Sequence, residues 1–418
     1  MNNIKQNYES AKSIYKQYGI DTDQAIEQLK QIKISLQCWQ GDDVKGFLND
    51  MNLSGGLAVT GNYPYRATNP DELRKDLEKA LSLIPGKHKV NLHAIYLDTD
   101  AHVDLDQIEP KHFQKWVDWA KVNQLGLDFN PTCFSHPMAA SGFTLSSSDS
   151  KVRAFWIEHC KRSRKIGAYF GKELNQKSIV NLWIPDGYKD NPYDRLQPRT
   201  LLKDSLDQIF SEKIDHHQML DTLESKLFGI GSEAYTTGSS EFYLGYAVQH
   251  QKAVCLDSGH FHPTESIADK LSAISLFTNE MLLHVSRPIR WDSDHVVIQD
   301  DELYRIAQEL VRGNLLSRTH IGLDYFDASI NRIAAWVIGA RSTQKALLRA
   351  LLEPHASLKL TEQNLDYTTR LALTEELKTL PYGVVYDYFC ETEHVLCGMT
   401  WLDEIKKYEK TLEGRTQK

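Results

Sequence analysis

The sequence of 418 residues predicts an α/β fold, namely a (β/α)8 TIM barrel with an N-terminal helical segment and a helical C-terminal extension. Three observations predict it. Short apolar and β-branched runs recur along the chain, segments with helical periodicity separate them, and this alternation stops after Asp327. Alternating strands and helices favour a parallel sheet, and about eight strands are the number that a closed barrel requires. A doubly wound open sheet is the alternative, but it would gather ligands from two central strands only.

Each predicted helix and strand can be assigned to a segment of the chain. The N-terminal segment, residues 1–33, has a helical pattern at 7–32, and the barrel, residues 34–328, contains the eight runs. Asn69-Pro70 introduces an amphipathic segment at 71–81, and Pro110 introduces another at 110–120, both typical helix starts. The predicted strands are 34–39, 89–96, 126–130, 179–184, 219–224, 253–257, 281–285 and 320–324.

Residues 329–418 form the predicted C-terminal extension. Helical patterns at 330–352, 366–380 and 401–412 follow one another there without an intervening strand. Both added helical pieces carry apolar faces that the barrel alone would not cover, so we expect them to contact a neighbouring subunit.

Composition excludes several classes of function. A formal net charge of −8, a pI near 6.1 and the lack of a long basic run argue against a nucleic-acid partner. The N-terminus is polar and no segment stays apolar long enough to span a bilayer, so we expect no membrane association and a cytoplasmic location. The six cysteines include no C-x-x-C pair, which argues against a disulfide framework and a thiolate zinc site.

Carboxylates and imidazoles gather at the ends of predicted strands five to eight. In a barrel these strand ends converge on one mouth. A single such residue is more often a helix cap or a satisfied core group, so it is the coincidence of several that indicates a divalent-metal site. Oxygen ligands with a few imidazoles suit Mn²⁺, Mg²⁺ or Co²⁺, and the surplus of ligands predicts two ions. The candidate ligands are Glu224, Asp257, His260, His284, Asp292, Asp294 and Asp324.

The sequence gives little support for nucleotide binding, phosphoryl transfer, serine hydrolysis or zinc-dependent proteolysis. Gly229-Ile230-Gly231-Ser232-Glu233-Ala234 matches G-x-G-x-x-A, but it follows a strand that already ended at Glu224, and no second acidic strand end follows at the required distance. Walker, G-x-S-x-G and H-E-x-x-H motifs do not occur.

The strand-end motifs resemble those of the xylose isomerase superfamily, and within it most closely those of the L-rhamnose isomerases. The resemblance covers nearly the whole chain. It rests on Cys38-Trp39-Gln40-Gly41-Asp42-Asp43, Asn91-Leu92-His93-Ala94-Ile95-Tyr96, Asp128-Phe129-Asn130-Pro131, Trp183-Ile184-Pro185-Asp186-Gly187, Glu224-Ser225-Lys226, Asp257-Ser258-Gly259-His260, Trp291-Asp292-Ser293-Asp294 and the segment from Asp324 to Arg332.

The resemblance implies a homotetrameric aldose–ketose isomerase that interconverts L-rhamnose and L-rhamnulose with two divalent ions. Mn²⁺ is the usual ion, with Co²⁺, Mg²⁺ and Zn²⁺ as alternatives. One ion would be held by Glu224, Asp257, His284 and Asp324, and the other by His260, Asp292 and Asp294, with Asp257 as a candidate bridge. His284 stands where the xylose enzymes carry a carboxylate, which agrees with the rhamnose branch.

The implied mechanism is a hydride shift between C1 and C2. Lys226 would polarise O1, and Asp324 or a metal-bound hydroxide would move the proton between the oxygens. The choice between Asp324 and Asp327 stays open at this point. His93 is a candidate for opening the sugar ring, although a core histidine is an equal interpretation. Trp39 and Trp183 are candidate platforms for the sugar, although simple packing explains them as well.

Three alternatives remain open from the residues. A two-metal barrel hydrolase would use arginines at the mouth, and Arg287 and Arg290 are available there. A metal-stabilised sugar-binding protein without turnover would need the ligands but not Lys226. An isomerase or epimerase of another aldose, such as L-mannose, is the third, because the fold does not choose the sugar.

Overall fold

The computed structural model describes residues 4–48, 59, 61–226, 234–290 and 292–415. Trp291 of the Trp-Asp-Ser-Asp motif and most of the Gly229–Ala234 motif lie outside the described residues.

Eight parallel strands close into a barrel, in which each strand pairs with its neighbours in chain order and β8 pairs with β1. This confirms the predicted (β/α)8 TIM barrel. The strands are β1 (Ile34–Gln37), β2 (Lys89–His93), β3 (Gly126–Asn130), β4 (Ser178–Leu182), β5 (Met219–Glu224), β6 (Ala253–Asp257), β7 (Met281–Val285) and β8 (Thr319–Leu323).

Alternation along the strands divides the buried residues between two regions. Val180 and Leu182 of β4 belong to the large core between the strands and the helices. The alternate residues face the barrel axis, because successive side chains of a strand point to opposite faces. A small separate core, consisting of Ile179, Leu220, Ala253, Cys255 and Leu282, fills the axis on the β4–β7 side. It forms an apolar floor beneath the carboxyl ends of those strands.

Helices surround the barrel and extend beyond it at both ends of the chain. They are α1 (Ile4–Gln17), α2 (Thr22–Lys30), α3 (Pro70–Leu81), α4 (Gln114–Val122), α5 (Ser150–Leu174), α6 (Leu196–Ile209), α7 (Ser240–His250), α8 (Ala268–Ser275), α9 (Asp301–Arg312), α10 (Arg332–Leu351), α11 (His355–Gln363), α12 (Tyr367–Leu377), α13 (Tyr382–Thr392) and α14 (Trp401–Lys410). The N-terminal and C-terminal additions meet, since Tyr8 of α1 stacks on Tyr388 of α13 with ring centroids 3.8 Å apart.

The helix start that was predicted at Asn69-Pro70 is present, whereas the segment predicted to be helical from Pro110 begins as a 3₁₀ helix (Pro110–Phe113) and continues as α4 from Gln114. Asn69 accepts a hydrogen bond from the Glu72 amide at 3.0 Å, and Pro70 occupies the first turn of α3. In contrast, α11 and α13 were not predicted. The sequence of α13, YGVVYDYFCET, is rich in aromatic and β-branched residues of low helix propensity. Packing of its buried Val385, Tyr386 and Phe389 stabilises a helix that local preference does not indicate.

A short antiparallel sheet was also not predicted. It pairs Gly187–Tyr188 with Tyr235–Thr236, in the loops that follow β4 and β5. Two residues are too few for strand periodicity to be detected. The sheet ties together two loops at the carboxyl end of the barrel.

Asp42, in the loop after β1, should make the stability of the protein depend on pH. The fully buried carboxyl contacts Tyr96 Oη at 2.6 Å and the Gly46 amide nitrogen at 2.7 Å. Burial raises the pKa of Asp42 to about 7. Because this pKa is higher in the folded than in the unfolded chain, the contribution is fully present below about pH 4 and is lost as the pH rises through about 7.

Asp42→Asn imitates the protonated carboxyl, whose single donor faces Tyr96 while the other oxygen accepts from Gly46. We expect the thermal midpoint of the variant to match that of the wild type near pH 4 and to exceed it increasingly between pH 4 and pH 8, by an amount corresponding to a few kcal/mol at most. Calorimetry of both proteins across this range measures the difference. If the thermal midpoints of the two proteins changed with pH in parallel, Asp42 would be ionised over the whole range and the expectation would be wrong.

Candidate active site

Four buried side chains converge at the carboxyl end of strands β5 to β8. Glu224 and Asp257 are the last residues of β5 and β6, His284 lies in β7, and Asp324 follows β8. Each side chain is at most 9% exposed. Because parallel strands end at one face of the barrel, residues separated by 100 positions in the sequence become neighbours here.

These four residues form the first cluster. His284 Nδ1 lies 2.9 Å from Asp324 Oδ2, 3.3 Å from Glu224 Oε2 and 3.8 Å from Asp257 Oδ2. One potential ligand atom from each residue lies within 4.8 Å of the others. This is the set that the family resemblance assigns to one ion.

Asp257, His260 and Asp292 form a second cluster of the same kind. His260 Nε2 lies 3.0 Å from Asp292 Oδ2, and its Nδ1 lies 3.1 Å from Glu224 Oε1. Asp257 is common to both clusters, and Glu224 presents one oxygen to each histidine. The two clusters are therefore adjacent parts of one site.

The donor geometry fits divalent cations. Two ligands of one cation, each about 2.1 Å from it, are about 3 Å apart when they lie at right angles. The contacts of His260 and His284 with carboxylates have this spacing, yet Nδ1 of both rings makes no hydrogen bond among the described residues. Oδ1 of Asp292 and of Asp324 is similarly buried without a partner there. Buried charges of this density require a counter-charge, which a metal ion would supply.

The pKa shifts of the clustered residues agree with a site for a divalent cation. Burial raises the pKa of Asp257 well above its usual value. Although burial opposes protonation of His260, the Asp257 and Asp292 carboxylates raise its pKa well above the ordinary range. For Glu224 burial is outweighed by His284 and His260, which lower its pKa. The carboxylates therefore favour a positive charge between them, and a divalent cation would compete with the proton on His260 for this position.

Asp294 and Asp327 differ in their surroundings. Burial and the Asp292 carboxylate raise the pKa of Asp294, which belongs to neither cluster and has a left-handed backbone conformation with φ of 44°. Its assignment to the second ion stays a prediction. Asp327 accepts hydrogen bonds from the Ser329 amide at 2.9 Å and the Val296 amide at 3.3 Å, so it holds loops together. The geometry thus favours Asp324 over Asp327 as a ligand.

Four further predicted residues border the clusters. His93 ends β2, is 2% exposed and stacks on Trp39 with ring centroids 4.2 Å apart. Neither ring nitrogen of His93 has a hydrogen-bond partner among the described residues, and burial lowers its pKa to about 3, so the ring is neutral. Trp183 follows β4, and its ring centroid is 6.4 Å from that of His260. Lys226 Nζ lies 5.5 Å from the centroid of the Trp183 ring.

Two residues of the site were missed in the sequence. A Cβ on Gly259 would lie 2.2 Å from Asp292 Oδ1, so a larger residue would force this carboxylate to shift. Asn181 Nδ2 donates a hydrogen bond to Glu224. A polar residue inside the buried strand β4 was the available signal for Asn181, and the Asp257-Ser258-Gly259-His260 motif was the available signal for Gly259.

A closed (β/α)8 barrel with paired carboxylate–imidazole clusters at its carboxyl end defines a metal-dependent barrel enzyme. The sequence profile of the L-rhamnose isomerase family matches residues 2–415. The chain belongs to the L-rhamnose isomerase family, which confirms the resemblance, and it is an isomerase that interconverts an aldose and a ketose.

Known L-rhamnose isomerases are similar in sequence to this chain over almost its entire length. The L-rhamnose isomerase of Listeria innocua is 62% identical over 408 residues, which cover 97% of each chain. That of Salmonella paratyphi A is 58% identical over 410 residues, covering 98% of each. The solved structure of an L-ribulose 3-epimerase is 10% identical with a TM-score of 0.47, covering 77% of this chain and 96% of that one.

Because the chain belongs to the L-rhamnose isomerase family, the hydrolase and binding-protein alternatives are not favoured. In the described part of the chain, no helix has the length and apolarity to cross a membrane.

Proposed function

We propose that this chain interconverts L-rhamnose and L-rhamnulose by a hydride shift, using two divalent ions, with Mn²⁺ as the preferred ion. The observation that carries the proposal is the pair of adjacent clusters that share Asp257. The names of the relatives supply the sugar, because one barrel fold accepts many sugars and the loops around its mouth select among them.

The residues divide between two ion sites. Glu224, Asp257, His284 and Asp324 would hold one ion, and His260, Asp292 and Asp294, together with Asp257, would hold the other. Bound divalent ions would polarise the sugar carbonyl and favour ionisation of the neighbouring hydroxyl. Co²⁺, Mg²⁺ and Zn²⁺ offer the same charge and are the ions to compare with Mn²⁺.

Lys226 would stabilise the charge that develops on the substrate, and Asp324 would transfer the proton. In the forward direction the hydrogen on C2 moves to C1 with its electron pair, while the proton of O2 ends on O1. The ammonium of Lys226, which is 5% exposed, would donate a hydrogen bond to O1 as negative charge develops there. Asp324 is buried, and burial raises its pKa, which suits a carboxyl that accepts and returns the proton between the two oxygens.

His93, Trp39 and Trp183 would bind the sugar. A neutral imidazole with two buried nitrogens can donate to one sugar oxygen and accept from another, so His93 is placed to assist ring opening. The indoles border the site and would pack against the C–H faces of the sugar. Nε1 of each indole is buried without a hydrogen-bond partner among the described residues, which leaves it available for a hydroxyl.

The proposal includes a cytoplasmic homotetramer with three regions: the N-terminal segment 1–33, the catalytic barrel 34–328 and the extension 329–418. Support comes from apolar side chains on and beside α11 and α12, where Leu365 is 71% and Leu371 is 62% exposed. Large apolar side chains exposed on these helices favour contact with another subunit.

Metal removal and replacement tests the proposal. After chelation and verified loss of metal, we expect no ketose from L-rhamnose, and we expect Mn²⁺ to restore turnover. L-Mannose and D-xylose serve as comparison sugars, and turnover should be greatest with L-rhamnose. Full activity of verified metal-free protein would contradict the metal requirement. Greater turnover of L-mannose would instead correct the substrate.

A further inference from the structure

Asn181 lies beside the first cluster on strand β4, which neighbours the strand that carries Glu224. It is 1% exposed, and it faces the barrel axis because Val180 and Leu182 on either side face the outer core. In the register of β4 and β5, Asn181 pairs with Thr222, and Glu224 lies two residues further along the same face. The amide is therefore within reach of both side chains.

Two hydrogen bonds determine how the amide is oriented. Asn181 Nδ2 donates to Glu224 Oε2, and Thr222 Oγ1 donates to Asn181 Oδ1 at 2.7 Å. An ionised carboxylate only accepts, so the nitrogen of the amide must face Glu224. The amide oxygen then faces the Thr222 hydroxyl, which is its donor.

We propose that Asn181 is a positioning residue that orients the Glu224 carboxylate for metal binding. This inference rests on the proposed role of Glu224 as a ligand. Glu224 must direct Oε1 towards His260, at 3.1 Å, and Oε2 towards His284, at 3.3 Å. The terminal torsion of a glutamate has no sharp minimum, so the side chain alone does not fix the plane of these oxygens. The Asn181 N–H holds Oε2 and thereby fixes that plane.

Asn181→Leu tests the inference, because leucine is similar in size but has no donor. Free Mn²⁺, followed by electron paramagnetic resonance during titration of the metal-free protein, gives the affinity. We expect Mn²⁺ binding to weaken by about 10- to 100-fold, the usual effect of losing a group that orients a ligand. At saturating Mn²⁺ the variant should recover much of its kcat, because Asn181 is 1% exposed and acts through Glu224.

Thr222 provides a second, milder test. Thr222→Val removes the donor that faces Asn181 Oδ1, so we expect a smaller loss of Mn²⁺ affinity. Thr222→Ser keeps the hydroxyl and should bind Mn²⁺ like the wild type. If Asn181→Leu does not fold, the comparison of Thr222→Val with Thr222→Ser tests the role of Asn181 instead.

Asn91→Leu is the matched control. Asn91 is another buried amide of the barrel interior, and it donates to Gln37 Oε1 at 2.6 Å on β1. Its loss should lower the thermal midpoint in chelator but leave Mn²⁺ affinity unchanged. Wild-type Mn²⁺ affinity in folded Asn181→Leu would overturn the inference. Unchanged Mn²⁺ affinity in Glu224→Gln would instead overturn the proposed ligand role, so the two failures are distinguishable.

Discussion

Glu224→Gln is expected to lower kcat/KM for L-rhamnose by at least about 10³-fold and to abolish most of the thermal stabilisation by Mn²⁺. The amide keeps the shape of the carboxylate but removes its charge and one acceptor oxygen. Since the two oxygens of Glu224 face His284 and His260, this single change disturbs both clusters. Activity assays and the thermal midpoint with and without Mn²⁺ measure the two effects.

Glu280→Gln is the control for this variant. Glu280 precedes β7 at the opposite end of the barrel, where it contacts Lys177 at 2.6 Å, His216 at 2.7 Å and His320 at 2.6 Å. We expect the control to lower the thermal midpoint equally with and without Mn²⁺, while kcat and Mn²⁺ affinity persist. If Glu224→Gln behaved in the same way, Glu224 would be a structural residue only.

Lys226→Met is expected to lower kcat by about 10²- to 10³-fold, the range that follows the loss of one donor to a developing oxyanion. Methionine retains most of the length and apolar surface of the lysine stem, so the change removes mainly the charge. Mn²⁺ affinity should stay within a few-fold of the wild-type value, because Lys226 belongs to neither cluster. Steady-state kinetics at saturating Mn²⁺ separate this effect from metal loss.

Lys252→Met is a closely matched control for Lys226→Met. Lys252 Nζ lies 4.3 Å from the centroid of the Phe210 ring and 2.6 Å from Asp221 Oδ2, away from the mouth of the barrel. Its replacement should affect stability but not kcat. An unchanged kcat in Lys226→Met would contradict the role proposed for the ammonium.

Much of the barrel could be predicted because its signals are local. Each strand is a short apolar run, and Asn69 marks a helix start by its own hydrogen bond to the backbone. The candidate ligands at the ends of β5 to β8 were identified in the same way, since carboxyl ends of parallel strands share one face. Local signals failed for α13, whose aromatic and β-branched residues become helical only when packed against the rest of the chain.

Local sequence patterns were sufficient to predict the alternation of strands and helices, the types of ligand and their position at strand ends. Three contacts became known from the folded barrel alone: Asp324 faces His284, Asp327 accepts hydrogen bonds from the backbone, and Asn181 donates a hydrogen bond to Glu224. These facts depend on the register between strands and on barrel closure, which bring together residues far apart in the sequence. Periodicity reports the face on which a side chain lies, whereas contacts among distant residues depend on the packing of the whole barrel.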